Sequence, residues 1–346
     1  MLGTPVDAHL TRGHSGPVTE HHPAPGDVLT VTPNPSLDRT TEVDRLVRGQ
    51  VLRSTAARLD PGGKGLNVSR ALLLHGVPTR AVLPVGGPEG DQLLSLAERA
   101  GISLVPVPVG GATRTNVAVV ESDGTVTKLN DPGPAVSPDE VEALLAELSR
   151  ALAGASARWL VASGSLPPGA PVDLYARMVR LGHKAHVRVA VDSSGGALGA
   201  ALVASPDLLA PNRAELAEVT ASPVATIADV VQACRWVQQR GAVTVLASLS
   251  SDGAVLVEGP APPLYGESPA VRVRSAVGAG DALLAGFVAA GGSGGQALLE
   301  GLAWGAAAAA LPGSVMPGPE EVRRTKALGI RVGPVDERAS VRVLTD

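Results

Sequence analysis

Ser275-Ala276-Val277-Gly278-Ala279-Gly280-Asp281-Ala282-Leu283-Leu284-Ala285-Gly286 sets a turn of small residues directly before an acid and an apolar run. The glycines let backbone approach a ligand closely. The run from Ala282 to Ala290 predicts a buried helix. A helix start carries unpaired N–H groups and the positive end of the dipole, so it suits a phosphate or a developing anion. Asp281 at that spot can take a proton from a substrate hydroxyl. The same stretch also reads as an ordinary turn with Asp281 as a first-turn acid, because short glycine motifs are weak evidence.

The chain has 346 residues, enough for one large α/β domain or two ordinary ones. Hydrophobic residues make up 45% and aromatics only 2%, so the core is built from Ala, Val and Leu. Net charge is −4 with no basic block, which argues against a nucleic-acid partner. No apolar run reaches membrane-spanning length, and the first residues lack a signal-peptide pattern. The single cysteine, Cys234, sits in a helical pattern; it excludes an internal disulfide and a multi-cysteine metal site, and fits a reducing cytoplasm. Residues 1–27 are rich in Pro, Gly, His and Thr without periodicity and read as a disordered extension, with His14, His21 and His22 solvated rather than metal-bound.

Val28 to Thr32 is a short strand running into Pro33-Asn34-Pro35-Ser36-Leu37-Asp38, read as a turn at its carboxyl end, where α/β sheets place ligands. Asp38 there either holds sugar hydroxyls or shapes the turn. Thr41 to Leu59 alternates weakly and looks like exposed strands. Asp60-Pro61-Gly62-Gly63-Lys64-Gly65-Leu66-Asn67-Val68 then opens a helix ending near His75-Gly76. It is no Walker A loop, since Gly65 follows Lys64, and it holds no G-x-G-x-x-G. Its glycines allow main-chain N–H groups to face a ligand, Lys64 supplies charge, and Asn67 lies one turn into the helix. A plain strand-to-helix turn is the alternative.

A regular β/α rhythm follows, implying parallel crossovers. Thr113 to Val120 and Thr125 to Asn130, joined at Ser122-Asp123-Gly124, form a hairpin. With Thr41 to Leu59 it suggests a small sheet at the edge of the α/β body, a lid that could exclude water from phosphoryl chemistry. Arg114 either meets an anionic group or is an exposed lid arginine. Ser137, Pro138 and Glu140 start a helix as a capping box. Asn212 and Glu215 pair in the same way at a later helix; they either cap it or order magnesium through water, an ion that takes few carboxylates. Ser248-Leu249-Ser250-Ser251-Asp252-Gly253 turns into a second hairpin. After the opening stretch, residues 295–311 form an Ala-rich helix, then one more helix precedes a loose tail over residues 331–346.

Taken together, six pieces resemble the ribokinase-like sugar kinases of the phosphofructokinase-B family: Thr32-Pro33-Asn34-Pro35-Ser36-Leu37-Asp38, Gly62-Gly63-Lys64-Gly65-Leu66-Asn67-Val68, Thr113-Arg114-Thr115-Asn116, Ser163-Gly164-Ser165-Leu166-Pro167, Pro211-Asn212 with Glu215, and Val277-Gly278-Ala279-Gly280-Asp281. They occur in family order over about residues 28–320. The resemblance is to the branch acting on sugar phosphates, 1-phosphofructokinase and tagatose-6-phosphate kinase. It implies a three-layer α/β fold with a mostly parallel central sheet and a small β-sheet lid, from about 41–59 and 112–130, within a body over 28–330. It implies ATP and Mg²⁺, with Asp281 as general base and Gly278, Ala279 and Gly280 as anion hole. Asp38, Gly63, Lys64, Asn67 and Arg114 would hold the sugar phosphate, and Ser248 to Gly253, with Gly280, the nucleotide. In related kinases two lids pair, so the apolar lid residues Val117, Val119 and Val126 imply a homodimer. The chain departs from the family at Ala210, where Lys is usual before Pro-Asn, at Ser250, where Gly is usual, and at Ala276, where Thr is common. All three lie on the nucleotide side.

The reaction expected is phosphorylation of fructose 1-phosphate to fructose 1,6-bisphosphate. Tagatose 6-phosphate or fructose 6-phosphate as acceptor is the alternative within the class. A sugar-phosphate-binding regulator without catalysis is the alternative outside it, motivated by Ala210 and Ser250.

Overall fold

Alternating small apolar residues form short strands, and capped apolar runs form the helices between them. A computed structural model of the chain describes residues 27–154, 156–336 and 342–345. In chain order the first half comprises β1 (Asp27–Val31), β2 (Ser36–Val43), β3 (Ala56–Gly62), α1 (Lys64–Leu74), β4 (Thr79–Val85), α2 (Gly87–Arg99), β5 (Ser103–Pro108), β6 (Arg114–Glu121), β7 (Val126–Leu129) and α3 (Pro138–Ala153). The second half comprises β8 (Ala157–Ser163), α4 (Leu174–Lys184), β9 (Arg188–Asp192), α5 (Gly195–Ala201), β10 (Leu208–Leu209), α6 (Arg213–Thr220), α7 (Ile227–Gln238), β11 (Thr244–Ser248), β12 (Ala254–Glu258), β13 (Leu264–Glu267), α8 (Ala279–Ala289), α9 (Gly294–Ala309), α10 (Pro319–Lys326) and β14 (Arg331–Pro334).

Ten strands form the main sheet, in the order β14-β13-β12-β11-β10-β9-β8-β1-β4-β5. From β5 to β11 every pairing is parallel, and β12, β13 and β14 add on antiparallel. Period-two alternation sorts the strand residues between two helical layers. Leu29, Val31, Leu160, Ala162, Val189 and Val191 pack with α3, α4 and α7. Val28, Val161, Ala190, Leu246 and Leu256 pack with α1, α8 and α9. The chain winds from β1 outward through β4 to β5, then returns to build β8, β9 and β10 on the other side. The gap beyond the carboxyl ends of β1 and β8 is therefore the topological switch point, where such sheets leave a crevice for ligands.

The lid is a separate sheet, β3-β2-β6-β7. It begins earlier than expected: the stretch from Ser36 to Asp38, read as a turn, is already strand, and β2 pairs in parallel with β6 from Ser36↔Arg114 onward. Asp38 is thus a lid residue. The three apolar lid residues do not make one exposed face. Val117 pairs with Leu129 and Val120 with Val126, so Val126 points to the side opposite Val117 and Val119. All three are half-buried, and the large apolar side chain exposed on these four strands is Leu129.

Two further expectations are corrected. Residues 1–26 lie outside the described residues, but Asp27, placed in the extension, is the first residue of β1. The tail is not loose where it is described. β14 completes the edge of the main sheet, and Leu344 is buried in the core beneath α7. Short edge strands carry too little periodicity to be seen in sequence.

α1 is tied to the sheet by a buried hydroxyl chain. Thr30 Oγ1 lies 2.8 Å from Ser69 Oγ, which lies 2.8 Å from Thr79 Oγ1. This fixes the helix that carries Lys64 and Asn67. Ser69→Ala leaves both threonine hydroxyls without that partner and is expected to cost about 1–3 kcal/mol, read as a lowered denaturation midpoint at unchanged slope.

Candidate active site

Four elements converge on the switch point. α8 begins at Gly278, whose φ of 77° requires the left-handed backbone glycine adopts without strain, and a Cβ there would lie 2.5 Å from Met316 Cε. The first regular bond of the helix runs from Ala282 N–H to Gly278 O at 2.8 Å. The N–H groups of Gly280 and Asp281 lie ahead of it, without an intrahelical acceptor. Gly280 is exposed while Asp281, in the same turn, is buried at 6%. Asp281 Oδ2 accepts a 2.9 Å bond from Asn67 Nδ2. The Asn67 amide is oriented in turn by Arg70, whose Nη1 donates to Asn67 Oδ1 at 3.2 Å. Burial, with the nearby charge of Asp192, pushes the Asp281 carboxyl up to about 7, against the opposing pull of Lys64 and the Asn67 bond.

Lys64 opens α1 and reaches across the floor of the crevice. Its Nζ donates to Asp192 Oδ1 at 2.7 Å and lies 3.7 Å from Glu215 Oε1. Burial opposes its charge, but Asp192, Glu215 and Asp281 outweigh burial, so the shift is upward and the ammonium persists. The floor itself is a row of polar strand ends. Thr32 follows Val31, which pairs with Ala162, and Ser163 pairs with Asp192. Thr32 Oγ1 and Ser163 Oγ are buried without a hydrogen-bond partner.

The lid supplies the third wall. Asp38 Oδ1 accepts from Ser36 Oγ at 2.7 Å and from Asn116 Nδ2 at 3.0 Å. Burial raises the Asp38 carboxyl, while those bonds and the charges of Arg114 and Arg70 pull it down. Gly62 is required beside it, because a Cβ there would sit 2.3 Å from the Asp38 carboxylate. Gly63 follows as the N-cap of α1. Arg114 is less free than expected: Nη1 donates to Asp131 O at 2.8 Å and Nη2 to Asn34 O at 2.9 Å, and its Nε is buried without a partner. It joins two loops at the mouth of the crevice while keeping its charge near Asp38.

At the α6 side of the crevice, Ser248 N–H donates to Pro211 O at 3.0 Å, and Asn212 forms a parallel bridge with Ser248. Asn212 and Glu215 form the capping box: Glu215 N–H donates to Asn212 Oδ1 at 2.9 Å and Asn212 N–H to Glu215 Oε2 at 2.8 Å. Burial raises the Glu215 carboxyl, against Lys64 and the Asn212 N–H. Among the described residues no cluster of three or more His, Cys, Asp or Glu is arranged to hold a metal ion. A hydrated Mg²⁺ that takes most of its oxygens from water and phosphates fits Glu215, whose Oε1 is outside the cap. Ser250 stands where glycine is usual and takes a left-handed φ of 54°. Two residues of this turn are corrected: the Leu249 side chain is buried in the core, and the Asp252 carboxylate bonds Thr345 and Arg342 rather than facing the crevice. Ser250 and Ser251 are the exposed ones.

Asp192, Arg70, Ser36 and Asn116 carry no assigned role from sequence. The signal for Asn116 is its place two residues beyond Arg114 on the same strand face. The signal for Asp192 is its place at the carboxyl end of a parallel strand. Nothing local marks Arg70.

The pfkB family carbohydrate kinase model matches residues 32–312. The chain belongs to this family. A 1-phosphofructokinase of Rhodobacter capsulatus is 38% identical over 75% of this chain and 82% of its own length. An ATP-dependent 6-phosphofructokinase isozyme 2 of Mycobacterium tuberculosis is 36% identical over 86% of this chain and 88% of its own. The phosphofructokinase-2 of Escherichia coli, solved in complex with potassium, superposes with a TM-score of 0.81 at 32% identity, covering 87% of this chain and 98% of its own. A second structure of that protein is described as a tetrameric inhibited form. The expected fold, a large mostly parallel sheet with a small separate sheet, is the fold of these kinases. The pfkB chain is a sugar-phosphate kinase, with fructose phosphates as the substrate class and ATP as the family's co-substrate. Among the described residues no helix is long and apolar enough to cross a membrane.

Two outcomes follow from the geometry. Gly62→Ala displaces Asp38 and is expected to raise KM for the sugar phosphate at least about tenfold with a smaller change in KM for ATP, measured by steady-state kinetics. A carboxyl accepts a proton only when ionised, so if Asp281 is the base, kcat/KM falls as pH drops, with a limb expected near pH 7 that is absent in Asp281→Asn.

Proposed function

We propose that this pfkB kinase transfers the γ-phosphoryl group of ATP to fructose 1-phosphate, giving fructose 1,6-bisphosphate and ADP. The observation that carries this reading is the buried Asp281 carboxylate, set at the start of α8 and bonded by Asn67 of the sugar loop. It stands between the expected sugar and nucleotide halves, next to N–H groups that can receive an anion. Asp38, Gly63, Lys64 and Asn67 position the sugar, and Arg114 attracts its phosphate. The hydroxyl oxygen forms a bond to the γ-phosphorus as the bond to the bridging oxygen of ADP breaks. Asp281 takes the hydroxyl proton, and the Gly278, Ala279 and Gly280 turn stabilises the transferring group. Such chemistry is mainly positioning and charge stabilisation, which a pre-built helix start supplies. Bound Mg²⁺ would neutralise phosphate charge, with Asn212 and Glu215 ordering its water. Ser248, Ser250, Ser251 and Gly253 would line the nucleotide, with cytoplasm as the setting.

Fructose 1-phosphate is ranked first on the Rhodobacter capsulatus 1-phosphofructokinase, 38% identical, with fructose 6-phosphate next on the Mycobacterium tuberculosis relative at 36%; the T-R-T-N and G-G-K-G-L-N-V motifs resemble those of tagatose-6-phosphate kinase as well. A side-by-side panel of kcat/KM for the three sugar phosphates with ATP and Mg²⁺ decides the assignment. Fructose 1-phosphate is expected to lead by at least about tenfold. Asp281→Asn is expected to lower kcat by about 10²-fold or more; near-normal turnover sinks the base assignment.

A homodimer through the lid is part of the same reading, supported by the open edge of β7 beside exposed Leu129. A monomeric mass by light scattering at micromolar concentration counts against it.

A further inference from the structure

Asp252 is a buried acid that the transfer chemistry does not use. Its carboxylate is held by residues far along the chain: Thr345 N–H and Thr345 Oγ1 both donate to Asp252 Oδ2 at 2.7 Å, and Arg342 Nη2 donates to Oδ1 at 3.3 Å. Its carbonyl accepts from Tyr265 OH at 2.6 Å. The rest of 342–345 is fixed independently. Ile227 N–H donates to Arg342 O at 3.2 Å and Leu344 N–H to Ala225 O at 2.9 Å, an isolated antiparallel bridge between Val343 and Thr226 at the start of α7. Leu344 anchors it in the core, and Arg342 also bonds Glu267 at 3.0 Å. On the other side Arg213 Nη1 donates to Thr345 O at 2.9 Å.

These bonds tie two halves of one site. Arg213 follows Asn212 at the head of α6, and Asp252 closes the turn whose exposed residues are Ser250 and Ser251. The turn has a reason to need holding. Ser250 occupies left-handed space with a Cβ, a strained conformation that persists only where the surroundings over-determine it. The bonds inside the turn are Leu249 N–H to Gly253 O at 2.9 Å, Asp252 N–H to Leu249 O at 3.0 Å, and Gly253 N–H to Ser250 O at 3.4 Å. The last of these, at Ser250 itself, is the weakest, and the charge-assisted bonds to Asp252 are the strong ones.

We infer that Thr345, Arg342 and Asp252 are positioning residues for the nucleotide, clamping the Ser248 to Gly253 turn against the head of α6; this rests on the placing of ATP at that turn. They touch no reacting atom. Their effect is confined to the half of the crevice that receives ATP, because among the described residues no hydrogen bond joins 342–345 to the lid, α1 or the sugar loops.

The test uses the full chain with Thr345→Val and Arg342→Gln, both of which keep Leu344 in the core, and Thr345→Ser as the conservative control. Amide exchange of the turn in nucleotide-free protein is expected to quicken about tenfold in the first two. Their KM for ATP·Mg is expected to rise about five- to tenfold with the sugar-phosphate KM within about twofold, and Thr345→Ser to stay near wild type in both. Unchanged turn exchange overturns the clamp. Quickened exchange with unchanged ATP KM overturns its role, and so does a parallel rise in both KM values, which marks general destabilisation. A wild-type protein that neither binds nor turns over ATP sinks the functional reading and this inference together. Variants that leave an active wild-type pattern unmoved sink only the inference.

Discussion

Everything in the crevice is arranged around one costly fact: a carboxylate, Asp281, is buried at the start of a helix. Burying a charge is unfavourable unless it is bonded and balanced. Here one bond comes from Asn67, and a balancing cation stands nearby in Lys64. Compensation is incomplete, because Asp192 adds a second negative charge, and the Asp281 carboxyl stays high. A group held near neutrality in this way accepts a proton readily at working pH, and that is the property a general base needs.

The surrounding structure supplies the order that such a site requires. Asn67 can donate to Asp281 in a fixed direction because Arg70 holds its other amide atom. Lys64 can span Asp192 and Glu215 because Thr30, Ser69 and Thr79 fix the helix it begins. The two chemical halves are built differently. The lid side depends on a separate four-stranded sheet pinned by Arg114 to loop carbonyls. The α6 side depends on main-chain bridges between Pro211-Asn212 and Ser248, with the strained Ser250 at its rim.

The elements legible in sequence were those with strong local signals. The parallel β/α order followed from apolar runs of strand and helix length, and the capping boxes at Ser137 and Asn212 followed from their spacing. Lys64, Asn67 and Asp281 were visible because glycine-rich turns punctuate the chain beside them, and Asp38 because it follows the Pro33-Asn34-Pro35 stretch at the end of a strand. Less legible were the short strand β14, the burial of Leu344 and the inward turn of Asp252. Each is decided by partners about 70 or more residues away, and a window of a dozen residues carries no trace of such partners. The lid register was misjudged for a related reason. Which side chains share a face depends on pairing across strands, and that assigns Val126 to one side and Val117 to the other.

The sequence by itself determined the fold class, the family and the small-residue turn ahead of Asp281, since these rest on composition, period and motif order. Only the tertiary structure decided what that acid is. In the linear chain Asp281 is a first-turn residue that could do no more than favour a helix dipole. In the folded protein Asn67, 214 residues earlier, donates to it, and the charges of Lys64 and Asp192 bear on it out of water. The proton affinity of a carboxylate is set by that environment, and environment is a property of the packed chain rather than of its order.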